Sequence, residues 1–286
     1  MASLRFMDII LHWWVLLALV LLGGGFAYTP LVARSAALAD YRGLAAPRRR
    51  QLLWGALVFG AVAMLLAGML GLSHPGGPVP AGMILALRGV LLLVLAALLW
   101  RKCDESPWVL LPAFALLLTQ SLASHSAALP QSIAPVLADW AHLSFTSLWL
   151  GGVAMFALVS VRLASPKDLG LLIARFSPLA MFCVLAVTLT GIIQSASFLG
   201  SLDALVTTRY GQVILLKVGL LILLIAFGAF HQQVISPRLQ AWRLRDVAGV
   251  QQAVRRFRIG ILLELLVSIL ILLAAGALTA LPPAVG

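Results

Sequence analysis

The sequence predicts an all-α integral membrane protein, a polytopic bundle of about eight transmembrane helices. Three observations predict it. Of 286 residues, 62% are hydrophobic and only 10% charged, more apolar surface than a soluble domain of this length can bury. The apolar runs are about 17–24 residues long, right for helices and too long for alternating barrel strands of roughly 9–11 residues. The Lys and Arg residues fall mainly between the runs and on alternate connections. The net charge of +11 therefore reports membrane topology and not nucleic-acid binding.

Eight spans follow in order. Span one, Ile9–Tyr28, carries "LHWWVLLALVLLGG". Arg5 gives it a basic start that Asp8 cancels, and its apolar run is longer than the roughly 15 residues of a signal-peptide core, so it is kept as a span. Gln51–Leu72 follows an arginine triplet, and Ala81–Trp100 follows a Pro/Gly-rich loop. Trp108–Ser124 follows the charged turn "RKCDE" and ends polar, with Thr119, Gln120, Ser121 and Ser124. Trp140–Leu163 contains "AHLSFTSLWLGG". Phe176–Leu199 carries Thr188, Thr190, Gln194, Ser195 and Ser197, residues that glue helices together in lipid or line a polar path. Gly211–Ile235 and Ile259–Leu281 complete the set. Most loops are short, so residues 1–286 read as one bundle with no room for a soluble domain. Cys103 in a loop and Cys183 inside a span suggest no disulfide framework.

The odd-numbered connections hold Arg34, Arg42, Arg48, Arg49 and Arg50; Arg101 and Lys102; Arg162, Lys167 and Arg175; and Arg238, Arg243, Arg245, Arg255, Arg256 and Arg258. The opposite side has only Arg5 and Arg209. The positive-inside rule makes the odd connections cytoplasmic and puts both termini on the periplasmic side of a bacterial cytoplasmic membrane. Spans one and five both start at the outer side with a histidine and end at a glycine pair. That pattern suggests two four-helix halves, 1–129 and 138–286.

This topology gives every histidine a depth. His12 and His142 sit about one turn into spans one and five, His74 in the outer loop "LSHPGGP", and His125 at the outer end of span four. The four share one level to within roughly 6–8 Å. Polar groups in a span face the bundle interior and mark function, so these imidazoles are the candidate metal ligands. Met7, Met69 and Met83 lie at the same level, and thioether with imidazole favours copper, with thioether selecting Cu(I). Asp8 and Asp139 would be oxygen ligands or acceptors that orient a ring. Deeper lie Arg88, Lys217, His231 and Glu264, candidates for a translocation path or an inner site.

The segments "SHSAAL", "AHLSFTSLWLGG", "ARFSPLAMFCVLAVTLTGIIQS", "RYGQVILLKVGLLILLIAFGAFH" and "VRRFRIGILLELLVSILILLAAGALTALPPA" together resemble the CopD-type copper resistance membrane proteins over residues 119–284. The resemblance implies an inner-membrane protein that takes copper across from the periplasm, often beside a periplasmic copper-binding partner. It carries His125, His142, Lys217 and Glu264 over as matching positions; His12 and His74 rest on topology alone.

Three readings follow. The first is copper acquisition and movement, as Cu(I) or Cu(II), downhill or proton-coupled, since no G-x-x-x-x-G-K-[ST] stretch is present to power a pump. The second is a b-type haem electron carrier with His pairs such as His12 and His142 as axial ligands. The third is a copper sensor or assembly partner that transports nothing. An enzyme is not expected, because no nucleophile–base or paired-carboxylate set falls at one level.

Overall fold

The computed structural model describes residues 2–70, 79–128, 133–235, 237 and 247–281. Among these, every regular element is helical. The eight principal helices are α1 (Ala2–Tyr28), α2 (Ala39–Met69), α3 (Ala81–Trp100), α4 (Leu110–Ser121), α5 (Ile133–Met155), α6 (Pro166–Leu199), α7 (Arg209–Phe230) and α8 (Val247–Thr279). Seven helical stretches are long and apolar enough to cross a membrane, and Pro107–Ser121, which contains α4, is a shorter apolar helix. His74 and the basic residues Arg238, Arg243 and Arg245 lie outside the described residues.

Five helices begin well before their apolar runs. α1 and α5 start at Ala2 and Ile133 instead of Ile9 and Trp140, and α2, α6 and α8 start at Ala39, Pro166 and Val247. Hydropathy reads only the lipid-facing part of a helix, whereas backbone hydrogen bonding continues into the polar flank. The extensions have ordinary start signals. Ser165 caps α6, accepting from the Asp168 N–H at 3.2 Å, with Pro166 at the first helical position. Thr208 caps α7 by accepting from the Gly211 N–H at 3.0 Å. α6 ends at Gly200, whose φ of 68° suits glycine.

The two central helices are α1 and α5, each touching the other and α4 and α8. α2 covers α1, α6 covers α5, α3 packs on α2 and α4, and α7 packs mainly on α8. Leu19, Leu22, Phe26 and Phe156 are fully buried at the centre. The central crossing is backbone to backbone. A Cβ added to Gly24 would stand 2.6 Å from Gly151 Cα, and one added to Gly151 would stand 2.6 Å from both Gly24 Cα and the Val20 carbonyl oxygen. In a membrane, where apolar burial alone does not drive helices together, such small-residue contacts supply packing energy.

The two ends of the bundle differ. The end where α1 finishes carries the arginines; here it is the basic end, and the opposite one the histidine end. At the basic end α1 finishes in a π-turn, Thr29–Ala33, and α5 runs through one, Phe156–Ser160, into a last α-helical turn, Val161–Leu163. Tyr28 and Tyr41 both hydrogen bond to Ser160 Oγ, at 2.8 and 2.7 Å. Phe156 packs against Tyr28, Phe176 and Phe257 with ring centroids 5.2–5.9 Å apart. The α3–α4 loop is pinned beside them. Arg49 donates to Asp104 and to Thr29 Oγ1, and Arg50 Nε donates to Asp104 Oδ1 at 2.9 Å. Arg49 and Asp104 are both buried.

Candidate functional site

The histidine end brings several of the expected residues into one neighbourhood. His125 stands in a 3-10 turn, His125–Ala128, just beyond the short helix α4. Its Nε2 lies 3.2 Å from the Thr279 carbonyl oxygen on α8. A carbonyl only accepts, so Nε2 carries the hydrogen and the neutral ring has its lone pair on Nδ1. Burial holds this imidazole below its ordinary pKa, and nearby His12 pushes the same way, against the Thr279 carbonyl and Asp139, which favour the cation.

His12 Nδ1 donates to the Asp8 carbonyl oxygen one turn back at 2.8 Å. The expected help from the Asp8 carboxylate thus comes from the Asp8 backbone. His142 Nδ1 lies 2.9 Å from Thr190 Oγ1 on α6. The Thr190 hydroxyl donates its one hydrogen to the Ala186 carbonyl at 2.6 Å, so it receives the imidazole N–H and leaves the His142 lone pair on Nε2. Gly191 lies beside the same ring, where a Cβ would stand 3.4 Å from Cε1. His142 is nine residues into α5, roughly 13 Å down the helix; the sequence placed it one turn in because the apolar run starts later than the helix.

Asp139 accepts from Ser124 Oγ at 3.1 Å. It lies within electrostatic reach of His125 and Lys217, and Lys217 within reach of His142. His12, His125, Asp139, Lys217 and His142 therefore form a chain of neighbours drawn from α1, the α4–α5 connection, α5 and α7. Asp139 is tied to Ser124, and Thr190 orients His142 in its place. Among the described residues, no three His, Cys, Asp or Glu side chains stand together as a ready metal-binding group. Met7, Met69 and Met83 are all exposed on the outside of the bundle.

Sequence reasoning noted Thr190 as helix glue or part of a polar path, not as a partner of His142, and Thr279 escaped notice because its backbone oxygen is what acts. The signal for Thr190 was its place in a polar run at the same depth as His142, in a span with no charge of its own.

The deeper candidates separate into two kinds. Arg88 is buried and spent on α4: Nε donates to Thr119 Oγ1 at 3.1 Å, and Nη2 donates to Gln120 Oε1 at 2.7 Å and to the Thr119 carbonyl at 3.3 Å. It staples α3 to α4. His231 and Glu264 meet near the basic end, Nδ1 to Oε1 at 2.9 Å, both buried. The His231 ring stacks on Phe257 at 4.8 Å, and its Nε2 presses on Gly260.

Fold and site define a class first: a multi-pass, all-helical membrane protein with a neighbourhood of imidazole, carboxylate and ammonium groups buried at one end. Residues 170–278 match the family model described as copper resistance protein D, which bears out the resemblance read in the sequence over that stretch. It contains Lys217, His231 and Glu264, whereas His12, His125 and His142 lie before it. The chain is also 32% identical over 121 residues to a protein named copper transport protein CutJ from Bacillus subtilis (strain 168). That alignment covers 41% of this chain, which spans 22% of the length of CutJ. No solved structure matches.

Proposed function

We propose that this protein takes up copper at its histidine end and carries it across a bacterial cytoplasmic membrane, with both termini and the histidine end on the periplasmic side. The observation that carries this reading is the state of the three rings. His12, His125 and His142 each have one ring nitrogen held by a protein oxygen, which fixes how each imidazole is turned. Metal-ligating histidines are prepared in this way. Copper here is cargo, handed between neighbouring groups, so a closed three-ligand cage is not required. A soft monovalent ion accepts few ligands, and His74 in the outer loop would add another imidazole.

The family match and the likeness to CutJ support copper as the cargo, and the lopsided arginine distribution supports the orientation. The role proposed is non-enzymatic. A periplasmic copper-binding protein is the expected donor.

The test is metal analysis with an absorption spectrum of purified protein, and copper accumulation by cells that express it. His125→Ala and His142→Ala should each lower bound copper and accumulation. Unchanged copper content in both variants would sink the site, and a Soret band would replace copper with haem.

A further inference from the structure

We infer that the chain is built as two four-helix halves that rock about the Gly24–Gly151 crossing, and that Arg48 and Arg175 form a reciprocal latch closing the basic end. The inference rests on the transport reading and adds the moving parts.

One step of 127 residues relates the central features of the two halves. It carries Gly24 to Gly151 and Val20 to Ser147. The contacts obey it: a Cβ on Gly151 would meet the Val20 carbonyl, and a Cβ on Gly24 would meet the Ser147 carbonyl. The same step carries the start of the first π-turn, Thr29, to the start of the second, Phe156. It carries Arg48 on α2 to Arg175 on α6. Neighbour relations repeat as well, since α2 covers α1 as α6 covers α5, and α4 touches α5 as α8 touches α1. The histidines hid this register. The step pairs His12 with Asp139 and not with His142, so aligning ring with ring misplaces the halves by three residues.

The two arginines cross between halves. Arg48 Nε donates to the Leu158 carbonyl at 3.2 Å, in the π-turn one helical turn before the end of the α5 stretch. Arg175 Nε donates to the Val32 carbonyl at 2.7 Å, in the π-turn that ends α1, and its Nη2 reaches the Arg34 carbonyl at 3.4 Å. Each half thus supplies a cation to the π-turn of the other, near the negative end of a helix. π-turns inside helices are frequent at functional sites. Each arginine also has a proline within three residues, Pro47 in α2 and Pro178 in α6, which removes one backbone hydrogen bond and provides a place to bend.

Transporters built from repeated halves alternate access by rocking one half against the other. The glycine crossing is the close contact such a pivot needs, and the two charged hydrogen bonds shut the end away from the histidines. The structure therefore corresponds to a state closed at the basic end.

Two measurements on the full-length protein in lipid nanodiscs test this. In hydrogen–deuterium exchange, Arg48→Ala should speed exchange roughly tenfold or more around residues 156–160 and leave 29–33 unchanged, and Arg175→Ala should do the reverse. Arg48→Ala removes one hydrogen bond and Arg175→Ala two, so the singly substituted proteins remain folded. For the opening itself, spin labels at Leu44→Cys and Arg256→Cys, with Cys103→Ser and Cys183→Ala, report the distance between halves at the basic end. The Arg48→Ala/Arg175→Ala protein should add a longer-distance population, and each single variant should add a smaller one of similar size. An unmoved distance in the double variant overturns the latch, as does a response confined to one arginine. A longer distance without any copper accumulation by the parent protein would retain the latch and remove the transport reading.

Discussion

His142 gives its Nδ1 hydrogen to Thr190, 2.9 Å away across the α5–α6 interface, and Thr190 can only accept because its own hydrogen is committed to Ala186. A hydroxyl on one helix thereby decides which nitrogen of a ring on another can meet a metal.

Thr190→Val should accordingly uncouple the ring. The loss of the hydroxyl leaves the ring only the Val187 backbone to hold it, so its orientation loosens and copper affinity should fall by up to about 10–100-fold. Thr190→Ser keeps the oxygen and should bind nearly as well as the parent. Competition against a coloured copper chelator measures both; equal affinity of Val and parent proteins would refute the role of Thr190.

Copper held with the help of His125 should survive into mild acid. Protons compete with metal for the imidazole, and burial lowers the pKa of this ring. The ring gains its proton only as pH falls below the ordinary imidazole value of about 6.5. Copper retention should therefore have its midpoint below that value. A midpoint at or above it, in a titration of copper retained after desalting, would contradict the burial argument.

Gly24→Ala and Gly151→Ala should each destabilise the bundle by about 1–3 kcal/mol, because the added methyl meets backbone that cannot step aside. Gly55→Ala and Gly219→Ala, with nothing within 4 Å of the new methyl, should leave stability within about 0.5 kcal/mol. Thermal denaturation in detergent compares the four.

Asp104→Ala should be the most costly change at the basic end, by about 2–3 kcal/mol, because it leaves buried Arg49 only Thr29 and the more exposed Glu105 and also frees Arg50. Replacing exposed Lys102 should cost little. The same melts settle the comparison, and an Asp104→Ala protein as stable as the parent would show that the pair contributes nothing.

Much of the fold was legible because lipid imposes a simple rule: apolar runs of sufficient length become helices. Seven spans follow that rule. The fourth departs from it because its polar end, Thr119 to Ser124, serves Arg88 and Asp139 instead of lipid. Helix starts were less legible, since the arginine-bearing flank of α2 is helical without being apolar.

The site was legible in its residue types and less so in its partners. His12, His125 and Asp139 could be placed by depth alone, because depth follows from counting residues along a helix. Which atom each ring uses could not, because that depends on backbone carbonyls of Asp8 and Thr279 and on a threonine of a chemically ordinary kind. The Arg48 and Arg175 contacts were hidden for a similar reason: positive charge at the ends of spans has a topological explanation that leaves nothing further to ask.

The shortness of α4 has a consequence for the surrounding lipid. The helical stretch Pro107–Ser121 is 15 residues, about 22 Å of rise against a hydrocarbon layer of roughly 30 Å. On the flank where Trp108 and Leu111 are exposed, the bilayer must pinch inward or leave a polar turn at acyl-chain depth. A local dimple of this kind would bring the aqueous boundary down to His125. An arriving ion could then reach the first imidazole while still hydrated, and membrane thickness would become one of the variables that set the rate of uptake.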